Sequence, residues 1–176
     1  MKEVIYNYDN LKENEIDEIV IRCKDLIVNN KNEIMLGYCH NTYQFPGGHL
    51  EENETLLDCL KREIKEETGI ELNDEEINKN IIEKNTHYTR NYRSTNKNRK
   101  NEIYYYVIKT NKVPNIDNSN LDKNEIDGNY TIKMIDINEV EKVLIDSISL
   151  NDINQVIVEE MLDVINEYKK IYNQAQ

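Results

Sequence analysis

The first half of the chain alternates apolar and polar positions in short runs. Ile19, Ile21 and Cys23 recur at every second position, a period of two that is typical of a strand with one buried face. The pattern predicts strands over Ile16–Val28 and Glu33–Cys39, joined by a turn. Tyr43–Phe45 is a short extended segment that ends at Pro46, Gly47 and Gly48.

A helical pattern follows over Thr55–Thr68. Its apolar residues recur at helical spacing and form one face, which consists of Leu56, Leu57, Leu60 and Ile64. Glu54 and Thr55 suit the start of a helix, and Gly69 suits the left-handed position at its end.

The second half predicts further strands and two helices. The Ile103–Ile108 run is rich in strand-forming residues, whereas Asn111–Asn129 is a long polar loop. The predicted strands are Asn80–Tyr88, Glu102–Thr110 and Tyr130–Ile137, and the predicted helices are Asn138–Leu144 and Asn151–Tyr172.

This order of elements predicts one α/β domain over residues 1–176, with a mixed sheet covered by helices on both sides. The last helix carries a stripe made of Ile153, Ile157, Met161 and Ile165. We expect this stripe to be buried against the domain's own sheet. A dimer interface is the alternative, so the chain is a monomer or a homodimer.

The net charge of −12 narrows the function. An acidic surface repels nucleic acid and anionic membranes, so we expect neither as a partner, whereas small phosphorylated substrates need only a local cation. The start of the chain lacks the apolar core of a signal peptide, and no apolar run reaches the length of a membrane span. The scattered Cys23, Cys39 and Cys59 indicate reduced thiols and a cytoplasmic location.

Three carboxylates carry the candidate chemistry. Glu63, Glu66 and Glu67 share one face of the predicted helix and repel one another by roughly 0.2–0.5 kcal/mol per pair. They also lie in its last turns, where the helix dipole disfavours negative charge. A hard divalent cation such as Mg²⁺ or Mn²⁺ removes both penalties, because it prefers oxygen ligands.

The neighbours of this stripe strengthen the interpretation. The stripe lies beside the leucine face, at the rim of a cleft rather than on the solvent side. Gly47 and Gly48 permit close approach of the backbone to a ligand. Arg62 is placed to orient carboxylates or to hold phosphate, and Glu54 to pair with Arg62 or with a nearby backbone amide.

The segment GHLEENETLLDCLKREIKEETGI resembles the signature of the Nudix hydrolases. That signature has the form Gly-x5-Glu-x7-Arg-Glu-aliphatic-x-Glu-Glu-x-Gly-aliphatic. The residues that match it are Gly48, Glu54, Arg62, Glu63, Ile64, Glu66, Glu67, Gly69 and Ile70. Phe45, Pro46 and Gly47 also match the family's usual approach to this box.

The resemblance implies an α/β/α sandwich that hydrolyses a nucleoside diphosphate linked to another group. It assigns Mg²⁺ or Mn²⁺ to Glu63, Glu66 and Glu67, with the Gly47 carbonyl as an additional ligand. Glu54 and Arg62 become orienting residues. The general base is Glu63 or Glu66 in one variant of the family mechanism, and a residue of a later loop in the other. Glu125 is the obvious residue for the second variant.

Two alternatives of different class remain at this stage. One is a Nudix-fold nucleotide sensor without catalysis, and the other is an isoprenoid diphosphate isomerase, which needs a catalytic cysteine such as Cys39. Substrate contacts are also open. The segment 84–101 has no acidic residue, so Arg90, Arg93 and Tyr88 are candidates for binding phosphates and a base, and a solvated hairpin tip is the alternative.

Overall fold

The computed structural model describes residues 1–173, of which 78–80 and 173 are described by their backbone alone. Its strands are β1 (Lys2–Tyr6), β2 (Glu18–Val28), β3 (Glu33–Cys39), β4 (Thr42–Gln44), β5 (Ile77–Thr89), β6 (Arg99–Lys109) and β7 (Thr131–Asp136). Its helices are α1 (Leu56–Thr68), α2 (Lys123–Asp127), α3 (Val140–Ser147) and α4 (Asn154–Asn173). Single 3-10 turns lie at Glu13–Glu15, Tyr92–Ser94, Ile116–Asn118 and Ile148–Leu150.

Within the described residues, the strands form one mixed sheet in the order β1-β5-β6-β2-β3-β4, and β7 pairs with β3. The β1–β5 and β2–β6 pairs are parallel, and the other pairs are antiparallel. One apolar cluster joins α1 to the sheet, and a second joins α3 and α4 to it. The predicted α/β class with a mixed sheet is confirmed.

Helix α1 begins and ends where the sequence predicts. The Thr55 hydroxyl accepts from the Asp58 amide at 3.2 Å, and the Asp58 carboxylate reaches back to Thr55, which satisfies amides that the first turn leaves free. Gly69 ends the helix in the left-handed region at φ 69°. Glu54 precedes the N-cap and is therefore outside the helix.

Two elements differ from the predicted ones. The short β1 has an alternating, half-exposed pattern, and its pairing with residues 83–87 of β5 is a long-range interaction. The polar loop Asn111–Asn129 contains α2, which Asp122 and Glu125 cap reciprocally. The sequence pattern does not predict α2, because Ile126 is the one apolar residue of this helix.

Helix α4 packs on the domain's own sheet, but the predicted stripe is partly wrong. Met161 and Ile165 are buried, Ile157 is half-buried, and Ile153 is 56% exposed. The helix begins after Ile153, at Asn154, which is buried. The Asn154 amide group bonds to Thr42 at 2.7 Å and to the Ser147 carbonyl at 2.7 Å, so a polar residue anchors the first turn.

This difference gives a matched pair of substitutions. Ile165→Ala should lower the free energy of unfolding by about 2–5 kcal/mol, because it opens a cavity in the core. Ile153→Ala removes the same atoms from an exposed position and should change it by less than about 0.5 kcal/mol. Urea unfolding of both variants measures the difference. Equal losses would contradict the orientation of α4.

Candidate active site

Arg62 organises the carboxylates of α1. Its Nη1 donates to Glu63 Oε1 at 2.7 Å and to Glu66 Oε2 at 3.1 Å. Its Nη2 also donates to the His49 carbonyl at 2.9 Å, which ties the helix to the preceding loop. One guanidinium therefore offsets part of the repulsion between the two glutamates.

Glu54 makes both of the contacts that the sequence left open. Its carboxylate accepts from Arg62 Nε at 2.9 Å and from Nη2 at 3.0 Å, in a bidentate pair. It also accepts from the Glu51 amide at 3.0 Å. These contacts, with the Arg62 hydrogen bond first, hold the pKa of Glu54 below its ordinary value. Glu54 thus fixes Arg62 between the loop and the helix.

Glu67 takes its hydrogen bonds from residues outside α1. Its Oε2 accepts from the Gly47 amide at 3.1 Å and from the Tyr130 hydroxyl at 3.3 Å. Burial raises the pKa of Glu67 to about 8, with a further contribution from the Glu125 charge. A neutral acid is therefore favoured here until a cation arrives.

The glycine pair allows this close packing. A Cβ on Gly48 would lie 2.2 Å from Glu63 Oε1, so a side chain there would displace a predicted ligand. Gly47 has a φ of 132°, and a Cβ on it would lie 2.3 Å from the Cys23 carbonyl oxygen. Its amide holds Glu67, and the role of its carbonyl as a metal ligand stays a prediction.

Asp25 is a carboxyl group that the sequence did not single out. It lies on β2 with no exposed surface, and neither of its carboxylate oxygens has a hydrogen-bond partner within residues 1–173. Burial and then the negative charge of Glu67 raise the pKa of Asp25 well above its ordinary value. It appeared in the sequence only as one more polar residue of a strand.

A hard divalent cation fits this donor set in its chemistry. Within residues 1–173, Asp25 is buried without a hydrogen-bond partner, Glu67 accepts from two uncharged donors, and Glu63 and Glu66 share Arg62. Across the described part of the chain, no three His, Cys, Asp or Glu side chains already converge on one metal position. Glu63, Glu66 and Glu67 would be the residues that hold the ion, as the sequence predicts.

These groups face a cleft of about 470 Å³. Its lining includes an acidic wall, made of Glu63, Glu67, Asp122 and Glu125, and a cationic wall, made of Arg22, Lys24 and Arg93. A side recess of about 230 Å³ shares these acidic residues and adds Glu66. The cleft therefore brings carboxylates and cations into one cavity, as a phosphorylated ligand with a metal requires.

Arg22 and Lys24 are the site residues that the sequence analysis missed. They alternate on β2 with the buried Cys23 and Asp25, so the pattern assigned them to the polar face of the strand. Burial lowers the pKa of Lys24 and of Arg22. Long-range packing of the loop before α1 and of the β5–β6 hairpin turns this polar face into a cleft wall.

The basic segment divides into two parts. Arg93, at the tip of the β5–β6 hairpin, lines the cleft. Arg90 and Tyr88 lie outside it, because the acidic N-terminal segment holds them. The Arg90 amide donates to Asp9 at 3.1 Å, and the Tyr88 hydroxyl bonds to Glu13. The structure thus brings one of the three predicted substrate contacts to the site.

Two predicted residues from outside the box, Cys39 at the end of β3 and Glu125 on α2, also line the cleft. Glu125 lies on α2, where its Oε2 accepts from the Asp122 amide at 2.6 Å while the residue lines the cleft. The Cys39 sulfur also lines the cleft, 3.8 Å from the Glu125 carbonyl. The thiol is turned toward backbone oxygens of α2 rather than toward the carboxylates.

A model of the NUDIX domain matches residues 14–151. The chain belongs to the Nudix family. Solved structures agree with the fold at low sequence identity. A Caenorhabditis elegans Ap4A hydrolase in a binary complex is 15% identical, with a TM-score of 0.55, and the match covers 88% of this chain and 98% of that one.

A Nudix hydrolase from Nitrosomonas europaea is likewise 15% identical, with a TM-score of 0.53 and coverage of 86% of this chain and 88% of the other. At such identity these matches establish the fold, and the family rests on the domain model. Among residues 1–173, none of the helices combines the length and apolar character needed to cross a membrane.

The buried acids give a pH prediction for the metal-free protein. The pKa of Glu67 is higher in the folded state than in the unfolded state, so proton binding to Glu67 stabilises the folded protein. This stabilisation is lost as pH rises from 4.5 to about 8. Urea unfolding in EDTA should show this decline, and Glu67→Gln should make it shallower, while buried Asp25 keeps its own contribution. Glu71→Gln, at an exposed position, should keep it. A slope unchanged by Glu67→Gln would contradict the burial of this carboxyl.

Proposed function

We propose that this Nudix protein is a divalent-metal-dependent hydrolase of a phosphoanhydride bond in a nucleoside diphosphate linked to another group. One observation carries the proposal: the box carboxylates Glu63 and Glu67 line the same cleft as Arg22, Lys24 and Arg93. A diphosphate bound with a cation would neutralise both walls at once. The ordinary location of this activity would be the cytoplasm.

The residues of the Nudix box would have two roles in binding Mg²⁺ or Mn²⁺, as ligands and as orienting residues. Glu63, Glu66 and Glu67 are the proposed ligands, with the Gly47 carbonyl as a further oxygen. Arg62, itself held by Glu54, would orient Glu63 and Glu66. When bound, the cation neutralises phosphate charge and lowers the pKa of a coordinated water.

The cationic wall would hold the substrate's phosphates. Arg22 and Lys24 are half-buried on a rigid strand, so little side-chain entropy is lost when they bind an anion. Arg93 reaches the cleft from the hairpin tip and stacks its guanidinium 5.2 Å from the Tyr92 ring. These three residues take the place of the wider set predicted from the basic segment.

A carboxylate would take the proton of the attacking water. We place this base in the Nudix box, at Glu63 or Glu66. Glu125 is the alternative, and its position in both the cleft and the acidic side recess supports keeping it. Separate Glu63→Gln, Glu66→Gln and Glu125→Gln variants, compared by turnover at saturating metal, distinguish these assignments.

The substrate class follows from size and charge. The cleft is large enough for a nucleotide and too acidic outside its cationic wall for nucleic acid. Nucleotides, dinucleoside polyphosphates and nucleotide sugars are the candidates. The likeness to an Ap4A hydrolase over nearly the full chain makes a dinucleoside polyphosphate the first compound to assay. We propose that the protein acts as a monomer or a homodimer.

The metal requirement is tested by Glu67→Gln. The substitution should reduce turnover by at least about 100-fold, because it removes a ligand, yet leave the protein folded, because it relieves repulsion. Release of phosphate or pyrophosphate from a nucleotide panel with Mg²⁺ measures it. Glu71→Gln is the control. Full activity in excess EDTA would exclude a metal-dependent reaction.

The same nucleotide panel tests the alternative that the protein is a nucleotide sensor without catalysis. A protein that binds nucleotides, with a raised melting temperature, but releases no product from any of them would be a ligand sensor. The complete box and the paired Arg62 favour hydrolysis.

The phosphate wall is tested by two arginines of one hairpin. Arg93→Ala should raise KM by at least about tenfold with a smaller change in kcat, because a charge-assisted contact contributes roughly 1.5–3 kcal/mol. Arg90→Ala should leave KM unchanged, since the Arg90 guanidinium lies outside the cleft, where its Nη2 donates to the Asp9 carbonyl at 3.4 Å. Added salt should raise the wild-type KM. Equal effects of the two substitutions would contradict this assignment.

A further inference from the structure

Two cysteine side chains meet in the core beneath α1. Cys23 lies on β2 and Cys59 on the second turn of α1, and their sulfur atoms are 2.9 Å apart. Neither residue has any exposed surface. The pair is not required by the proposed hydrolysis, since neither sulfur lines the cleft.

We propose that Cys23 and Cys59 are a modification site: they form an intramolecular disulfide with a low-molecular-weight disulfide, such as oxidised glutathione, as the oxidant. The bond would join β2 to α1 directly behind the loop that carries Gly47 and Gly48. The sulfur atoms need to approach by about 0.9 Å to reach the length of a disulfide bond. This inference is independent of the hydrolase activity.

The exchange balances in two steps. The Cys59 thiolate attacks one sulfur of oxidised glutathione, breaks its S–S bond and releases one glutathione thiolate. The Cys23 thiolate then attacks the Cys59 sulfur of this mixed disulfide and releases the second. The protein loses two electrons and two protons, and one oxidised glutathione becomes two reduced molecules.

The surroundings accommodate the loss of both S–H groups. Cys59 Sγ lies 3.4 Å from the His49 carbonyl, which also accepts from Arg62 Nη2 at 2.9 Å. The Gly48 carbonyl, 3.9 Å from the same sulfur, also accepts from the Cys23 amide at 3.1 Å. No backbone oxygen would therefore be left without a donor. Arg62 Nη2 lies 3.7 Å from Cys59 Sγ, a contact to sulfur that does not need the S–H hydrogen, and the pair otherwise belongs to the apolar cluster beneath α1.

Burial decides when the bond forms. The hydrogen bond to Cys59 and burial both raise the pKa of the Cys23 thiol, which therefore holds little thiolate in the native protein. Both sulfurs are also fully buried, which excludes the oxidant. The exchange would proceed while the chain folds or opens. Once both sulfurs are packed, the fold holds them together and favours the closed disulfide.

The third cysteine makes a poor partner. Cys39 Sγ lies near the backbone carbonyls of Asn124 and Glu125, at 4.0 and 3.8 Å, and belongs to a different part of the structure. Cys39→Ala therefore isolates the pair without removing either of its members.

The test is an equilibrium with glutathione redox buffers, using the full-length Cys39→Ala protein in native buffer and in concentrated urea. Acid quenching, alkylation and mass spectrometry give the disulfide fraction in each. The effective concentration of one thiol at the other should be about 100-fold higher in native buffer than in urea. Folding and disulfide formation are linked, so the fold favours the bond by the same factor by which the bond stabilises the fold. An equal or lower native value would overturn the proposal.

Thermal unfolding gives a second readout on the same protein. The oxidised form should melt about 5–10 °C above the form reduced with dithiothreitol. The additional variant Cys59→Ala should show no difference between oxidising and reducing buffer. An oxidised form that melts at or below the reduced one would mean that the bond strains the packing of α1, and the site would be rejected.

Discussion

Like charges held close together on one helix are the constraint on which the rest of this structure depends. Glu63, Glu66 and Glu67 lie in the last turns of α1, where both their mutual repulsion and the helix dipole oppose them. Arg62 offsets part of this cost for Glu63 and Glu66. Glu67 shares no hydrogen bond with Arg62 in the described structure, and burial, followed by the Glu125 charge, raises its pKa to about 8.

The neighbouring elements are arranged around this crowding. Glycines at positions 47 and 48 let the loop approach the carboxylates, and the Gly47 amide donates to Glu67. Tyr130, directly before β7, supplies a second donor to Glu67. The same β2 strand presents Asp25 to the acidic side and Lys24 to the cationic wall, because successive side chains of a strand point to opposite faces.

Local signals in the sequence were sufficient for α1, its caps and the carboxylate stripe, since these depend on residues within one or two turns of each other. They also predicted the mixed sheet and most of its strands. They missed β1 and the cationic wall, because pairing with β5 and the enclosure of Arg22 and Lys24 are set by residues distant in sequence. The sequence also predicted too many substrate contacts from the segment 84–101, for the same reason. The acidic residues that contact Arg90 and Tyr88 lie near the start of the chain.

The central claim is that the carboxylates at the end of α1 bind a divalent cation. Thermal unfolding of the substrate-free protein tests this claim most directly. Titration with Mg²⁺ at neutral pH should raise the melting temperature in a saturable way, because an ion that binds only the folded state stabilises it by mass action. The same titration with K⁺ at equal ionic strength should not. A melting temperature indifferent to Mg²⁺, or equally sensitive to both salts, would contradict the account.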